Sequence, residues 1–346
     1  VYSIELPTPL AVGQTIELKI LVVHTQATHP FPRRIGQFDS QSLRFDGNAY
    51  LTSLYFTHEE KTVITLRGGN VHSYSTDPQP VAKVAKKITY GPYRSVPALA
   101  QQPIQIHYPF ADPGLWIPSA VRHIEISHWA GQLSVDEHVV VRNNGALLKG
   151  NYQMNLMLGP DSTNGFVVNQ FILKLPKDSH SVYFRDEVGN VSTTNLSYDA
   201  SFGRLQFVSR YPLAGGWIYN WNHGYKQPLA DVLRYDGATD RYNLQVRLPT
   251  YFPNAPVEEA ELEVVLPEGA TDIQVSMGMA VESMEQTPYY TYMDSVGRPL
   301  LRIRRRLVVD EHQMYPIIVS YRFDVLALLL KPLALAGLFF GLFLLA

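Results

Sequence analysis

The sequence contains no cysteine. That excludes disulfides, thiolate metal sites and cysteine nucleophiles together, and leaves stability to buried apolar surface. Charge is scarce as well. Charged residues make up 17% of the 346, and 29 basic residues nearly cancel 31 acidic ones, so no excess of one sign points to nucleic acid. The chain lacks HExxH, GxSxG, a phosphate-binding glycine loop and a dinucleotide fingerprint, so the common catalytic signatures are missing. It has no internal repeat and no low-complexity tract. Position 1 is Val and no signal peptide is present, so the start reads as a mature or truncated end rather than as a mark of the cytosol.

What the chain does have is apolar and aromatic. Hydrophobic residues reach 46%, with 21 Tyr, 15 Phe and 24 Pro. Aromatic and β-branched side chains suit half-buried pleated surfaces, and proline marks edges and turns. Residues 1–10 look like a strand entering a turn. TIELKILVV (15–23) alternates Ile16, Leu18, Ile20 and Val22 on one face. SLRFDGNAYLTSLYF (42–56) reads as a hairpin with Asp46-Gly47 at its turn, and Gly68-Gly69 reads as a second turn. The proline-broken stretch 81–103 reads as a link between domains, with a short helix that gathers Val81, Val84, Ala85 and Ile88 on one face. A second series of short strands then runs from PIQIHY (103–108) to YPIIVSYRF (315–323). The predicted fold is mainly β: tandem antiparallel β-sandwich domains followed by a single C-terminal transmembrane helix. Its expected units are a first β-domain at 1–80, a linker at 81–103, a second β-sandwich at 104–323 and the helix at 324–346.

The segment from Val325 to Ala346 carries one charge, Lys331. At ~1.5 Å rise per residue it covers ~33 Å, about the thickness of a bilayer core. Lys331 is expected to snorkel toward the headgroups, Pro332 to kink the first turns, and Gly337 and Gly341 to offer a small face for packing against another helix in lipid. The last strand runs almost straight into this helix, so the second domain should lie close to the bilayer. RDEVGNVSTTNLS (185–197) holds two N-x-[ST] tripeptides, at Asn190 and Asn195. Such acceptors are modified only on the lumenal side. A turn at Glu187–Asn190 presents Asn190, the favoured site, while Asn195 stays open.

The search for chemistry ends without a catalytic or cofactor site. If Ala130-Gly131 is a two-residue turn, His123 lies opposite His138 and Glu125 opposite Asp136, but no third metal ligand is evident, and a polar ladder on an exposed face accounts for the pattern. The doublets Asp136-Glu137, Asp186-Glu187, Glu258-Glu259 and Asp310-Glu311 point to opposite faces of any strand, so none is an acid/base pair by itself. On a strand, Arg302, Arg304 and Arg306 share one face and need carboxylates opposite, for which Glu282 and Glu285 are candidates. A lipid or partner contact is the alternative. By charge counting these arginines favour a cytoplasmic domain, but large domains cross membranes largely regardless of charge, and the two sequons favour the lumen.

The stretches YGPYRSVPA (90–98), RHIEISHWAGQLSVDEHVVVRNNGALLKG (122–150), YFRDEVGNVST (183–193), YPLAGGW (211–217), LPEGA (266–270) and YTYMDSVGRPLL (290–301) resemble the ribophorin I family of oligosaccharyltransferase subunits. The resemblance runs in order to the terminal helix. It implies a single-pass type I protein of the endoplasmic reticulum membrane with two lumenal β-domains, the first represented by its later part. It also implies a non-catalytic role in protein N-glycosylation. The partners would be other subunits, a multi-spanning catalytic subunit among them, together with nascent polypeptide and the bilayer. The family's sequon maps onto GNVST, here Asn190; Asn195 does not carry over. A single-span adhesion or receptor ectodomain is the alternative from another class, and a peptidase missing its catalytic domain is a further one.

Overall fold

The computed structural model describes residues 9–153, 166–191, 194–249, 252–291, 294 and 296–345. Residues 1–8 of the strand and turn expected at 1–10, Ser192 of the first sequon and Ala346 lie outside them.

The first part of the chain forms β1 (Thr28–Pro30), β2 (Arg34–Ile35), β3 (Ser42–Asn48), β4 (Thr57–Thr65), β5 (Ser73–Tyr74), β6 (Val81–Val84), β7 (Lys87–Val96) and β8 (Pro103–Pro109). One sheet runs β1-β3-β8-β5 and another β4-β7-β6. Alternate residues of both, among them Leu43, Ile88, Tyr90, Ile104 and Ile106, bury a common apolar cluster. Three expectations are corrected here. Residues 15–23 form no strand, and Ile16, Leu18, Ile20 and Val22 are exposed, because alternation without a partner edge makes no ladder. Asp46-Gly47 is not a turn: Gly47 lies inside β3 opposite Ile104, and the Phe45 ring occupies the space that a Cβ on Gly47 would need. The helix expected within 81–103 is also absent. Val81–Val84 and Lys87–Val96 pair with each other as a hairpin that turns at Ala85-Lys86, and β7 pairs with β4.

The larger part forms β9 (Leu115–Ser127), β10 (Gln132–Asn143), β11 (Leu147–Leu148), β12 (Val168–Leu175), β13 (His180–Asp186), β14 (Gly189–Asn190), β15 (Asn195–Tyr198), β16 (Gly203–Leu213) and β17 (Ile218–Pro228). It continues with β18 (Leu233–Asp236), β19 (Arg241–Val246), β20 (Val257–Val265), β21 (Thr271–Met277), β22 (Ser283–Tyr289), β23 (Arg298–Val308) and β24 (Ile317–Arg322). An eight-stranded sheet runs β14-β13-β17-β10-β9-β20-β23-β22. Two smaller sheets, β12-β16-β15 and β18-β19-β24-β21, pack side by side against one of its faces. The fold is therefore mainly β in layered sheets, as the alternation implies, although the large sheet is not wholly antiparallel. β20 pairs with β9 in parallel, Leu262 opposite Arg122, a pairing that no hairpin can make.

The two parts are joined by hydrogen bonds as well as by chain. Arg34–Ile35 pairs in parallel with Leu147–Leu148. Buried Gln41 donates to the carbonyls of Phe110 (3.3 Å) and Asp112 (3.1 Å), and accepts from the Ala146 amide at 2.7 Å.

A short helix, α1 (Asp310–Met314), precedes β24. Asp324 then caps a 3-10 turn at Val325–Leu329 by accepting from the Leu326 amide at 2.9 Å, and α2 (Leu330–Leu345) follows. None of this stretch is buried, and Val325–Leu345 is long and apolar enough to cross a membrane. Pro332 lies in the first turn of α2, where its missing N–H costs little.

Candidate functional site

Two neighbouring cross-strand rows on the large sheet gather most of its chemistry-bearing side chains, one row on each face. The difference between the faces follows from the two-residue period of a strand.

The outer row depends on the β9–β10 turn. A two-residue turn would set His123 against His138. The loop is instead His128–Gly131, closed by the Gly131 amide donating to His128 O at 3.3 Å, with Gly131 at φ 61°. That slides the register by two residues, so His123 faces Asp136, Glu125 faces Ser134 and His138 faces Val121. An even slide keeps every side chain on its expected face but breaks the proposed histidine pair. His138 instead contacts Asn222 Oδ1 at 2.7 Å. The row then reads Glu285, Arg302, Glu263, His123 and Asp136 across β22, β23, β20, β9 and β10. Arg302 reaches Glu263 at 2.6 Å, and His123 Nδ1 lies 3.0 Å from Glu263. Partial burial works to raise the Glu263 carboxyl, but the donors from His123 and Arg302 outweigh it and hold the group below the usual range.

The arginine run thus finds its carboxylates, mainly on a strand other than the expected one. Glu259, Glu261 and Glu263 of β20 lie directly opposite Arg306, Arg304 and Arg302. Glu285 also faces Arg302, from β22. The signal was legible as the alternation E-x-E-x-E in VEEAELEVV (257–265). Among the described residues, no group of three or more His, Asp or Glu side chains could hold a metal ion.

The inner row is ionic where the core is otherwise apolar. Arg122, Glu137 and His223 stand side by side on β9, β10 and β17, with Phe184 and Leu262 as flanking members. The Glu137 and His223 side chains are fully buried. Arg122 Nε donates to Glu137 Oε1 at 2.6 Å, and its Nη1 donates to Arg247 O at 3.1 Å. The Trp221 indole donates to His223 Nδ1 at 3.3 Å, which leaves the Nε2 proton facing Glu137 at 3.9 Å. Burial pushes the His223 pKa down and keeps the ring neutral. Arg122 also lines a cavity of about 670 Å³ at the seam between the two smaller sheets, with Lys174, Lys177 and Arg247 nearby. The row fixes β9, β10 and β17 in one register, because a slip would strand a buried charge.

The first sequon sits on a braced hairpin. β13 and β14 pair Arg185 with Asn190 and Asp186 with Gly189 around a two-residue turn, Glu187-Val188. The Asp186 carboxylate accepts from the Val188 and Gly189 amides (3.0 and 3.1 Å), from Arg210 (2.7 and 2.9 Å) and from Tyr219 (3.2 Å). The Arg210 hydrogen bonds, together with those amides, hold it below the usual carboxylate range. Asn190 is exposed at this edge, and Asn195 is exposed at the start of edge strand β15.

At the opposite extreme of the domain, three loops meet the start of the apolar helix. His128 stacks on Phe323 (4.6 Å between centroids) and contacts the Tyr321 hydroxyl at 2.8 Å. A Cβ on Gly269 would lie 3.1 Å from that of Ala327. Lys331, expected to reach for the headgroups, lies 2.5 Å from Asp294, whose side chain is fully buried. Further along, Gly337 and Gly341 have nothing within 4 Å of where a Cβ would stand.

The ribophorin I family profile matches residues 1–346. The chain is 32% identical over 346 residues to dolichyl-diphosphooligosaccharide–protein glycosyltransferase subunit 1 of Caenorhabditis elegans, covering 99% of this chain and 58% of that protein. Against subunit 1A of Arabidopsis thaliana it is 31% identical, covering 99% of this chain and 55% of the relative. Against subunit 1B of Oryza sativa subsp. japonica it is 33% identical, covering 98% and 71%. The chain thus spans little more than half the length of the first two of these relatives. A solved structure, an M1 zinc metallopeptidase from Deinococcus radiodurans, aligns with a TM-score of 0.35 at 13% identity over 60% of this chain and 42% of that one, too weak a likeness to bear on function.

Proposed function

The chain belongs to the ribophorin I family, and from that premise we propose that it is a membrane-anchored accessory subunit of the oligosaccharyltransferase complex of the endoplasmic reticulum. In this reading its β-domains lie in the lumen and its one span is Val325–Leu345. It stabilises the complex and helps to present nascent polypeptide to a separate multi-spanning catalytic subunit, and it performs no transfer itself. The observation that carries the reading is the family match along the whole chain, from the β-sheets through the apolar helix. The names of the relatives support the complex, and the two exposed sequon asparagines support a lumenal domain. Gly337 and Gly341 are the proposed packing face toward other membrane helices, and Asn190 the proposed glycan acceptor.

The test is affinity purification of the tagged full chain in mild detergent, with identification of what accompanies it. Stoichiometric recovery of a multi-spanning glycosyltransferase subunit is the expected result. Recovery of the chain alone, in a detergent that preserves other membrane complexes, would overturn the assignment. Complex rather than high-mannose glycans would then favour an exported receptor.

A further inference from the structure

Where the second β-domain meets the apolar helix there is a cavity of about 570 Å³. Its outer wall consists of Glu125, His128 and Trp129 from the β9–β10 end and Glu268 from the β20–β21 loop. Arg298, at the start of β23, closes one side. Its inner wall is the helix itself, from Ala327 through Lys331 to Leu335. That helical stretch rises ~12 Å, about the depth of a headgroup layer and the first acyl carbons. Trp129 is 71% exposed at the cavity mouth, and Tyr290 and Val296 of the neighbouring loop are similarly exposed. Aromatic side chains so placed belong at a membrane–water boundary.

We infer that this cavity binds one phospholipid with a zwitterionic headgroup, of the phosphocholine or phosphoethanolamine class, drawn from the leaflet on the β-domain side. The inference rests on the membrane-span reading above. Charge selects the class. Two cations, Arg298 and Lys331, share the wall with two carboxylates, Glu125 and Glu268; Arg298 is paired with Glu125, and a third carboxylate, Asp294, lies against Lys331. An acidic headgroup would meet a wall with no positive excess, whereas a zwitterion is matched at both of its ends. The polarity runs the right way as well. Lys331 is on the helix and nearest the lipid, with one of its three donors engaged by Asp294, so it can hold a phosphate deep in the headgroup layer. The Glu125 carboxylate, paired with Arg298 through one of its oxygens, is 43% exposed on the domain side, beside Trp129, where an ammonium group would project. A carboxylate next to an indole face is a fitting environment for such a cation. Below them Pro332 and Leu335 offer an apolar track for the acyl chains.

The full chain is reconstituted into nanodiscs of equal phosphatidylcholine and phosphatidylglycerol, re-extracted in mild detergent, and the retained phospholipid counted by native mass spectrometry. The expected result is one phosphatidylcholine retained per chain in preference to phosphatidylglycerol. Trp129→Ala, at an exposed position, lowers retention roughly three- to tenfold through the lost cation–π contact. Leu335→Trp, which fills the apolar end, abolishes it. Equal or preferential retention of phosphatidylglycerol, or unchanged retention in both variants, would overturn the inference. A chain that fails to enter nanodiscs at all would remove the membrane span, and this site with it.

Discussion

Replacing Glu137 by Gln tests the idea that the inner row is a register device. The substitution keeps size, shape and a hydrogen-bond acceptor, and removes one negative charge from a side chain that is fully buried. Arg122, whose side chain is 13% exposed, then keeps a guanidinium in the core without its counter-charge. With charge centres about 4 Å apart and an effective dielectric near 20, the lost attraction is about 4 kcal/mol. That agrees with the roughly 3–5 kcal/mol seen when one partner of a buried pair is removed. For a domain of this size each kcal/mol shifts Tm by about 2–4 °C, so E137Q should melt ~10 °C lower. Trp221, packed edge-on against Phe207 in the core and bonded to His223, offers a fluorescence reporter inside the same cluster. The companion variant carries Arg122→Met with Glu137→Met, and it should recover most of the loss, because an apolar pair of similar volume removes the stranded charge. A shift of less than about 2 °C for E137Q, or a double variant as unstable as the single one, would refute the reasoning.

Further outcomes follow from the same contacts. The His223 ring is held neutral below its ordinary value of 6.5, so the unfolded chain takes up the proton first, and stability is lost as pH falls from about 6.5 through the folded pKa. His223→Gln should flatten part of that decline in a pH series of melting curves, while the similar contributions of His128 and His312 remain. Asp186→Ala should cost about 2 kcal/mol by unbracing the β13–β14 hairpin, read as faster amide exchange at residues 185–190. Because the Asp186 carboxyl is held below its usual range, the stability it contributes is complete above about pH 4 and fades as pH falls through the folded pKa. Asn190→Gln should remove one endoglycosidase-sensitive mobility step, and no change on a gel would show that the site is unused. A Cβ at Gly337 or Gly341 would meet nothing within 4 Å beyond the adjoining helix backbone, so the protein with Gly337→Leu and Gly341→Leu should fold normally and co-purify poorly with its membrane partners. Normal co-purification would rule out that face.

How far the fold could be read in advance depended on whether a strand's own side chains disclosed its neighbours. The mainly β character, the apolar helix and strands such as β9, β10 and β23 were legible because inward residues such as Ile124, Ile126, Val139 and Ile303 keep a clean two-residue period. β17 was not legible. Its inward set, Tyr219, Trp221, His223, Tyr225 and Gln227, includes two polar residues, and its outward set of Asn220, Asn222 and Gly224 reads like a loop. The same feature hid the inner row. Glu137 stands in the stripe Leu133, Val135, Val139, Val141, and the Asp136-Glu137 doublet discloses only that its two carboxylates point to opposite faces, not which of them is buried or beside what. In the other direction, residues 15–23 alternate well and form no strand, because periodicity describes a face and says nothing about whether an edge is there to receive it.

The membrane end of the domain shows why sequence neighbours mislead there. Lys331 was read against the six residues before it in the helix, which made snorkelling the natural fate of its charge. Its partner, Asp294, lies in the β22–β23 loop, which reaches the helix only because β23 and β20 run side by side and β24 delivers the chain to the same end of the sheets. Burial of the Asp294 carboxyl works to raise it, and the hydrogen bonds from Lys331 and Thr291 overcome that and hold it low. A charge that looked like a cost of membrane insertion is therefore also a tie between helix and domain. With that tie, the capping bond from Asp324 and the His128–Phe323 stack, the helix is fixed at its base instead of hanging from a linker. A base fixed in this way couples the position of the apolar helix to that of the large sheet.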